Sequence, residues 1–131
     1  MKKTGLLNQP LSAAIAGLGH TDALVIADAG LPIPAGPQRI DLALSAGIPS
    51  FLETLRAVLG EMQIERVVIA EEMLVVSPAL HAQILALFGD TPVEAVPHAR
   101  FKQMTAEARA VVRTGEFTPY ANVILFSGVV F

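Results

Sequence analysis

The chain contains no cysteine, so disulfides, thiolate catalysis and cysteine-based zinc or iron–sulfur sites are excluded. Any chemistry must use His, carboxylates, Lys or Tyr. Four such residues stand just after apolar runs: Asp28 after Ala23–Ala27, Glu71 and Glu72 after Val67–Ala70, and His98 after Val93–Val96. In open α/β sheets ligands bind beyond the carboxyl ends of the strands, which makes these four the first candidates for a polar binding site. A carboxylate or imidazole closing a strand also serves as an ordinary loop residue, so position marks a site without naming its reaction.

The remaining motifs narrow the field. Gly17-Leu18-Gly19 is followed by His20-Thr21-Asp22 instead of a third glycine, and it precedes a strand; the dinucleotide fingerprint fails. No Gly-Lys-Ser/Thr occurs, so no phosphate loop is expected. His20, His81 and His98 include no i, i+4 pair and have no carboxylate at ligand spacing, which predicts no metal site. His81 belongs to a helix whose stripe is Leu80, Ile84 and Phe88, and is read as solvated. The expectation is chemistry without a cofactor.

The elements that must position these residues alternate along the chain. Asn8, Pro10 and the Leu11/Ile15/Leu18 spacing predict a short first helix ending by Gly19. Ala23–Ala27 reads as a buried strand, followed by a Pro/Gly-rich loop over Gly30–Pro37. Ser50 and Glu53 form a capping box for a helix that Gly60 stops. Strand Val67–Ala70, a helix from about Ser77 to Phe88, a short strand Val93–Val96, a helix from about Phe101 to Thr114 and strand Val123–Phe126 follow. This alternation predicts a three-layer α/β/α unit with a mostly parallel, mixed sheet. Residues 1–131 show no linker or repeat and are read as one domain.

Composition adds a further expectation. Apolar residues make up 53% of the chain and charged residues 16%, against about 25% charged in typical domains, which points to surface covered by other subunits. Asp28, Pro32, Glu71 and Pro78 interrupt every run long enough to cross a membrane. Asn8-Gln9-Pro10 breaks the faint resemblance of Met1-Lys2-Lys3 to a leader. The chain is read as cytoplasmic. A net charge of −3 with scattered basic residues excludes a nucleic-acid stripe.

Several strings are more specific: Gly19-His20-Thr21-Asp22, Asp28-Ala29-Gly30-Leu31-Pro32-Ile33-Pro34, Arg39-Ile40-Asp41, Gly47-Ile48-Pro49-Ser50-Phe51, Ile69-Ala70-Glu71-Glu72, His98 with Phe101-Lys102, and Gly115-Glu116 leading to Pro119-Tyr120-Ala121-Asn122. In this order and spacing the chain resembles the D-ribose pyranases almost end to end; from Met73 to Ala95 nothing functional is carried over. The resemblance implies cofactor-free interconversion of the β-pyranose and β-furanose forms of D-ribose, with His20 as the acid/base residue. It also implies that Asp28, His98, Tyr120, Ala121 and Asn122 hold the sugar, and that the assembly is a ring-shaped homo-oligomer, a homodecamer. The biological role it implies is to supply ribofuranose to a ribose kinase. The related fucose mutarotases place a histidine two residues after the aspartate, where this chain has Gly30, which favours ribose over L-fucose. A non-catalytic sugar-binding subunit and a flavodoxin-like nucleotide binder are the readings from other classes.

The assignments are chemically sensible. Histidine as a residue type titrates near 6.5, so it both gives and takes a proton near neutrality. Each residue also has a plainer reading: His20 next to Gly19 serves the carbonyls of a helix end, Asp28 forms a turn, and Tyr120 is a core ring with its hydroxyl tied to backbone. Geometry adds a constraint, because His20 precedes the first strand and Asp28 follows it. Five extended residues span about 17 Å. A composite site is therefore expected, with one of these residues supplied by a neighbouring chain.

Overall fold

Asn8 starts the first helix as its residue type dictates. In the computed structural model, which describes residues 1–131, the Leu11 N–H donates to Asn8 Oδ1 at 3.0 Å, opening α1 (Gln9–Ala16). The helix closes at Gly17, one half-turn before the predicted Gly19, because the Gly17 N–H already reaches the Ala13 and Ala14 carbonyls. The capping box of α2 (Phe51–Leu59) is complete: the Glu53 N–H donates to Ser50 Oγ at 3.2 Å and the Ser50 N–H to Glu53 Oε2 at 3.0 Å. Gly60 ends it.

The strands are β1 (Ala23–Ala27), β2 (Gln38–Asp41), β3 (Ile64–Ala70), β4 (Val93–Val96), β5 (Ala110–Arg113) and β6 (Val123–Ser127). They form one sheet in the order β2-β5-β1-β6-β3-β4. β6 alone runs antiparallel, to β1 and β3, while β1, β2, β3, β4 and β5 share one direction. The sheet is thus mixed, and the carboxyl ends of five strands lie along one edge together with the start of β6.

Every residue of β1 is buried, since the strand lies between β5 and β6 and its faces serve two cores. Leu24 and Ile26 join Leu11, Phe51, Leu55, Val58, Met73 and Ile84 in the larger core. Ala23, Val25 and Ala27 face Leu31, Phe101 and Ala108 in the smaller one. This is the period-two alternation of a strand covered on both sides. The layers are unequal: α1, α2, α3 (Glu72–Val76) and α4 (Pro78–Phe88) supply the first, and α5 (His98–Met104) with the loop after β1 supplies the second.

One expectation needs correction, and one strand is added. The helix predicted over Phe101–Thr114 does not exist as such: α5 runs from His98 to Met104, a 3₁₀ turn covers Thr105–Glu107, and Ala110–Arg113 is β5. Pairing on both sides, with β1 and β2, overrides the helical propensity of its Ala and Arg residues. The added strand is β2: only Ile40 of its four residues is buried, so its sequence carries no apolar run.

Candidate functional site

Five strand ends and the entry to β6 converge on one edge of the sheet, and the polar residues there hold one another in place. The Asp28 N–H donates to Asn122 Oδ1 at 2.8 Å, and Asn122 Nδ2 donates to Asp28 Oδ2 at 2.9 Å. The other carboxylate oxygen, Oδ1, accepts the Gly30 N–H at 2.9 Å. Asn122 is 1% exposed. The Asp28 carboxylate is thereby fixed in orientation while each oxygen keeps acceptor capacity for a ligand hydroxyl.

His98 reaches the same place from β4. Its N–H donates to both oxygens of Glu72, at 3.1 and 2.9 Å, which anchors the first residue of α5. The Glu72 carboxyl is held below its ordinary 4.5, first by its own backbone N–H and then, against burial, by the N–H of His98. The imidazole meets the Tyr120 ring edge-on at 5.1 Å and 85°, and lies nearly parallel to Phe101 at 6.2 Å. Its Nδ1 is buried without a hydrogen-bond partner within the chain, a costly arrangement for a polar atom.

Tyr120 has a φ of 61°, unusual for a bulky residue. The turn is over-determined: the Asn122 N–H donates to the Tyr120 carbonyl at 2.8 Å, and Ser77 Oγ donates to the Pro119 carbonyl at 2.8 Å. Asp28, Gly30, Leu31, Pro32, His98, Pro119 and Tyr120 line a cavity of about 300 Å³. It adjoins one of about 400 Å³ where Arg113 and Glu116 join Asp28. The smaller cavity is of a size that takes a small molecule. Ala121, fully buried, packs in the core behind it.

Glu116 ties this loop to the rest of the fold. Its Oε2 accepts the Phe51 N–H at 3.0 Å, and Oε1 accepts the Thr118 N–H and hydroxyl at 3.1 and 2.8 Å. Gly115, just before it, lies so close to the backbone of Ser45 and Ile48 that any side chain there would collide with them. Burial pushes the Glu116 carboxyl upward, but the donors from Phe51, Thr118 and Phe117 outweigh it and hold the group below 4.5. Because the folded value is the lower one, the carboxylate stabilises the fold above pH 4.5, and that contribution is lost as the pH falls through the folded value. Glu116→Ala, which leaves the Phe51 and Thr118 donors unpaired, is expected to cost about 1–3 kcal/mol in urea unfolding at pH 7, with the gap to wild type narrowing below pH 4.5.

His20 does not join this cluster within one chain. It lies at the opposite end of β1, in the turn Gly19–Asp22, which is closed by the Gly19 N–H to Asp22 Oδ2 at 2.9 Å and by the Asp22 N–H to the Gly19 carbonyl at 3.2 Å. The Asp22 carboxyl is held below 3.8 by that Gly19 N–H and then by Arg109. His20 Nε2 lies 2.8 Å from Glu65 Oε2, and the imidazole is 55% exposed. It borders a shallow cavity of about 430 Å³ formed with Leu18, Gln63, Gly128 and the last residues of the chain.

The structure thus brings Asp28, His98, Tyr120 and Asn122 together, and Glu72 with them, while Glu71 is exposed and bonds through its N–H to the Val96 carbonyl. Three residues escaped the sequence reading. Arg113, which the sequence pattern places in a helix, stands at the end of β5, where it donates to the Ala29 carbonyl and to Asp41 and lines the cavity beside Asp28. Glu116 has no role that its sequence neighbours reveal, and Glu65 carries no sequence signal at all.

Comparison with known proteins bears on this site. Residues 1–130 match the RbsD / FucU transport protein family. The chain is 57% identical to the D-ribose pyranase of Laribacter hongkongensis over 131 residues, all of both chains. Among solved structures it is similar to Bacillus subtilis RbsD complexed with D-ribose, with 47% identity, a TM-score of 0.97 and full coverage of both chains. It is also similar to the fucose mutarotase of Streptococcus pneumoniae in complex with L-fucose, at 26% identity and a TM-score of 0.76, covering 95% of this chain and 94% of the other.

Proposed function

The chain belongs to the RbsD / FucU transport protein family, and from that premise we infer that it is a D-ribose pyranase, an isomerase interconverting the β-pyranose and β-furanose forms of D-ribose. The observation that carries this reading is its full-length correspondence to a D-ribose pyranase, with no segment of either chain left over. The cavity at the sheet edge suits the substrate, because its fixed carboxylate, imidazole and phenol present the acceptors and donors that a polyhydroxylated ring requires.

The reaction needs only proton transfer. The anomeric hydroxyl gives up its proton, its C–O bond becomes a carbonyl, the bond from C1 to the pyranose ring oxygen breaks, and that oxygen takes a proton. Closure reverses these steps with a different hydroxyl as the attacking group. His20 is the acid/base residue, and general acid/base catalysis by a positioned histidine supplies about 10²- to 10⁴-fold. Asp28, His98, Tyr120, the Ala121 backbone and Asn122 hold the sugar and the open-chain form. No electron leaves or enters the substrate, so the step calls for no redox cofactor.

His20 and Asp28 flank a five-residue strand that spans about 17 Å, so one sugar meets both only where two chains adjoin. The working assembly is a ring-shaped homo-oligomer, a homodecamer, with its sites at subunit boundaries. Its support is exposed apolar surface: Leu44 and Phe117, 81% and 71% exposed, line one open cavity together, and contiguous exposed apolar surface marks interaction sites. No helix is long and apolar enough to cross a membrane. The reading includes a single domain over residues 1–131, acting in the cytoplasm on imported ribopyranose.

Gly30 lines the sugar cavity where the fucose mutarotases carry a histidine, which favours ribose. Saturation-transfer proton NMR on equilibrated D-ribose and L-fucose, run side by side, tests the assignment. Protein-dependent exchange between the ribose pyranose and furanose anomeric signals is expected. Exchange for fucose alone would move the protein to the mutarotase branch, and saturable ribose binding with no exchange would make it a sugar-binding subunit.

A further inference from the structure

We propose that Glu65 is a positioning residue for His20: it holds the imidazole as the Nε2–H tautomer and thereby makes Nδ1 the nitrogen that exchanges a proton with the sugar. This deepens the assignment of His20 as the acid/base residue and rests on it.

The contact itself is short, with Nε2 2.8 Å from Glu65 Oε2. A carboxylate only accepts, so Nε2 must be the donor and, in the neutral ring, Nδ1 carries the lone pair. An exposed histidine–carboxylate pair is by itself weak evidence. Three features of the backbone set this one apart.

Glu65 is first of all the extra residue of an irregularity in the sheet. Ile64 pairs with Ser127 and Arg66 with Phe126, so two steps along β3 answer one step along β6. A bulge of this kind re-aims a side chain, and bulges recur beside active sites. Here the displaced side chain is the one that meets the imidazole.

The second feature is opposite the bulge. A Cβ on Gly128 would lie 3.2 Å from Glu65 Cβ and 3.5 Å from its nitrogen, so the missing side chain leaves the space Glu65 occupies.

On the other side of the pair, Thr21, next to His20, holds a φ of 69°. That conformation is strained for a β-branched residue. It is kept by the Thr21 N–H donating to the Ser127 carbonyl at 2.8 Å and the Ser127 N–H donating to the Asp22 carbonyl at 2.8 Å. Thr21 and Tyr120 are the only non-glycine residues with positive φ, and each lies in one half of the proposed site. Both halves of the His20–Glu65 pair are therefore held to the end of β6, one by a strained turn and the other by a bulge.

In the proton transfer, Nδ1 takes the proton of the anomeric hydroxyl as the C1 carbonyl forms. The resulting imidazolium, still donating Nε2–H to Glu65, returns the Nδ1 proton to the ring oxygen as its bond to C1 breaks. Glu65 does not change protonation. The other charged side chain bordering this cavity, Glu61, is engaged by the Leu6 N–H and Lys2 and does not compete for the ring.

Two measurements on the full-length assembled protein test this. Glu65→Ala is expected to lower kcat roughly 10- to 100-fold, part of what acid/base catalysis supplies, with KM for ribose nearly unchanged. Glu65→Gln, whose amide oxygen still accepts from Nε2–H, should recover most of that loss. Wild-type kcat in Glu65→Ala, or a Glu65→Gln variant as slow as Glu65→Ala, would overturn the proposal. Independently of any variant's folding, solid-state ¹⁵N spectra of sedimented wild type labelled at histidine should show His20 protonated at Nε2; protonation at Nδ1 in the neutral ring would overturn it. Parallel assay of His20→Ala separates the two levels. Full activity there removes the acid/base assignment itself, whereas its loss beside an unaffected Glu65→Ala removes only the role of Glu65.

Discussion

Ribose ring exchange is expected to fall by about 10²- to 10⁴-fold in His20→Ala, the range that a positioned general acid/base contributes, while each chain folds as in wild type. Within one chain the side chain is half in solvent and its one polar contact is with Glu65, so truncation leaves that chain's core and its buried donors intact. Substitutions at exposed positions of this sort usually change stability by no more than about 0.5 kcal/mol. Loss of exchange in a variant that melts and sediments like wild type would therefore be a chemical effect. Saturation-transfer NMR on D-ribose, paired with thermal unfolding and sedimentation, reads both quantities.

The second large effect is expected from mixing two inactive proteins. His20→Ala and Asp28→Ala each destroy one half of the site, at opposite ends of β1. If each sugar is handled by His20 of one chain and Asp28 of another, co-assembly in equal amounts places both intact residues at about one site in four, the outcome of random pairing across a repeated interface. Exchange activity should return to roughly a quarter of wild type in the mixture and stay absent when the proteins are assembled separately and then combined without subunit exchange. No recovery in verified mixed assemblies would place both residues in one chain's site. Asp28→Ala is also expected to cost some stability, because it leaves the Asn122 Nδ2 donor, on a residue 1% exposed, without its acceptor.

How much of this was legible in the sequence follows from which interactions are local. The caps of α1 and α2 depend on residues three apart, Asn8 with Leu11 and Ser50 with Glu53, and both form as written. β1 keeps its predicted limits because an apolar run bounded by polar or turn residues is a local signal; β4, with Glu94 inside it, lies between Pro92 and Pro97, which mark its limits. β5 is different. Ala110–Arg113 follows good helix formers, its Val111-Val112 pair is too short a β-branched signal to mark a strand alone, and β1 and β2 lie ready on both sides, a fact of the assembled sheet. Missing β5 hid Arg113 from the site, since its position beside Asp28 follows from strand register: Ala27 pairs with Arg113.

The candidate site divides in the same way. Asp28 and His98 could be found from the rule that strand ends gather ligands, and the structure brings them to one cavity. Tyr120, Ala121 and Asn122 came only from family resemblance. A left-handed tyrosine and an asparagine clamping a carboxylate 94 positions away in sequence leave no periodic trace. Glu116 and Glu65 act through long-range contacts, across 65 and 45 residues. The bulge that aims Glu65 exists only once β3 has paired with β6.

The claim that two half-sites from different chains meet around one sugar is tested most directly by a crystal structure of the assembled protein with D-ribose bound. The prediction is a ribose whose hydroxyls lie within hydrogen-bonding distance, about 2.5–3.2 Å, of His20 of one chain and of Asp28, His98 and Tyr120 of its neighbour. A ribose whose every contact comes from a single chain would contradict it.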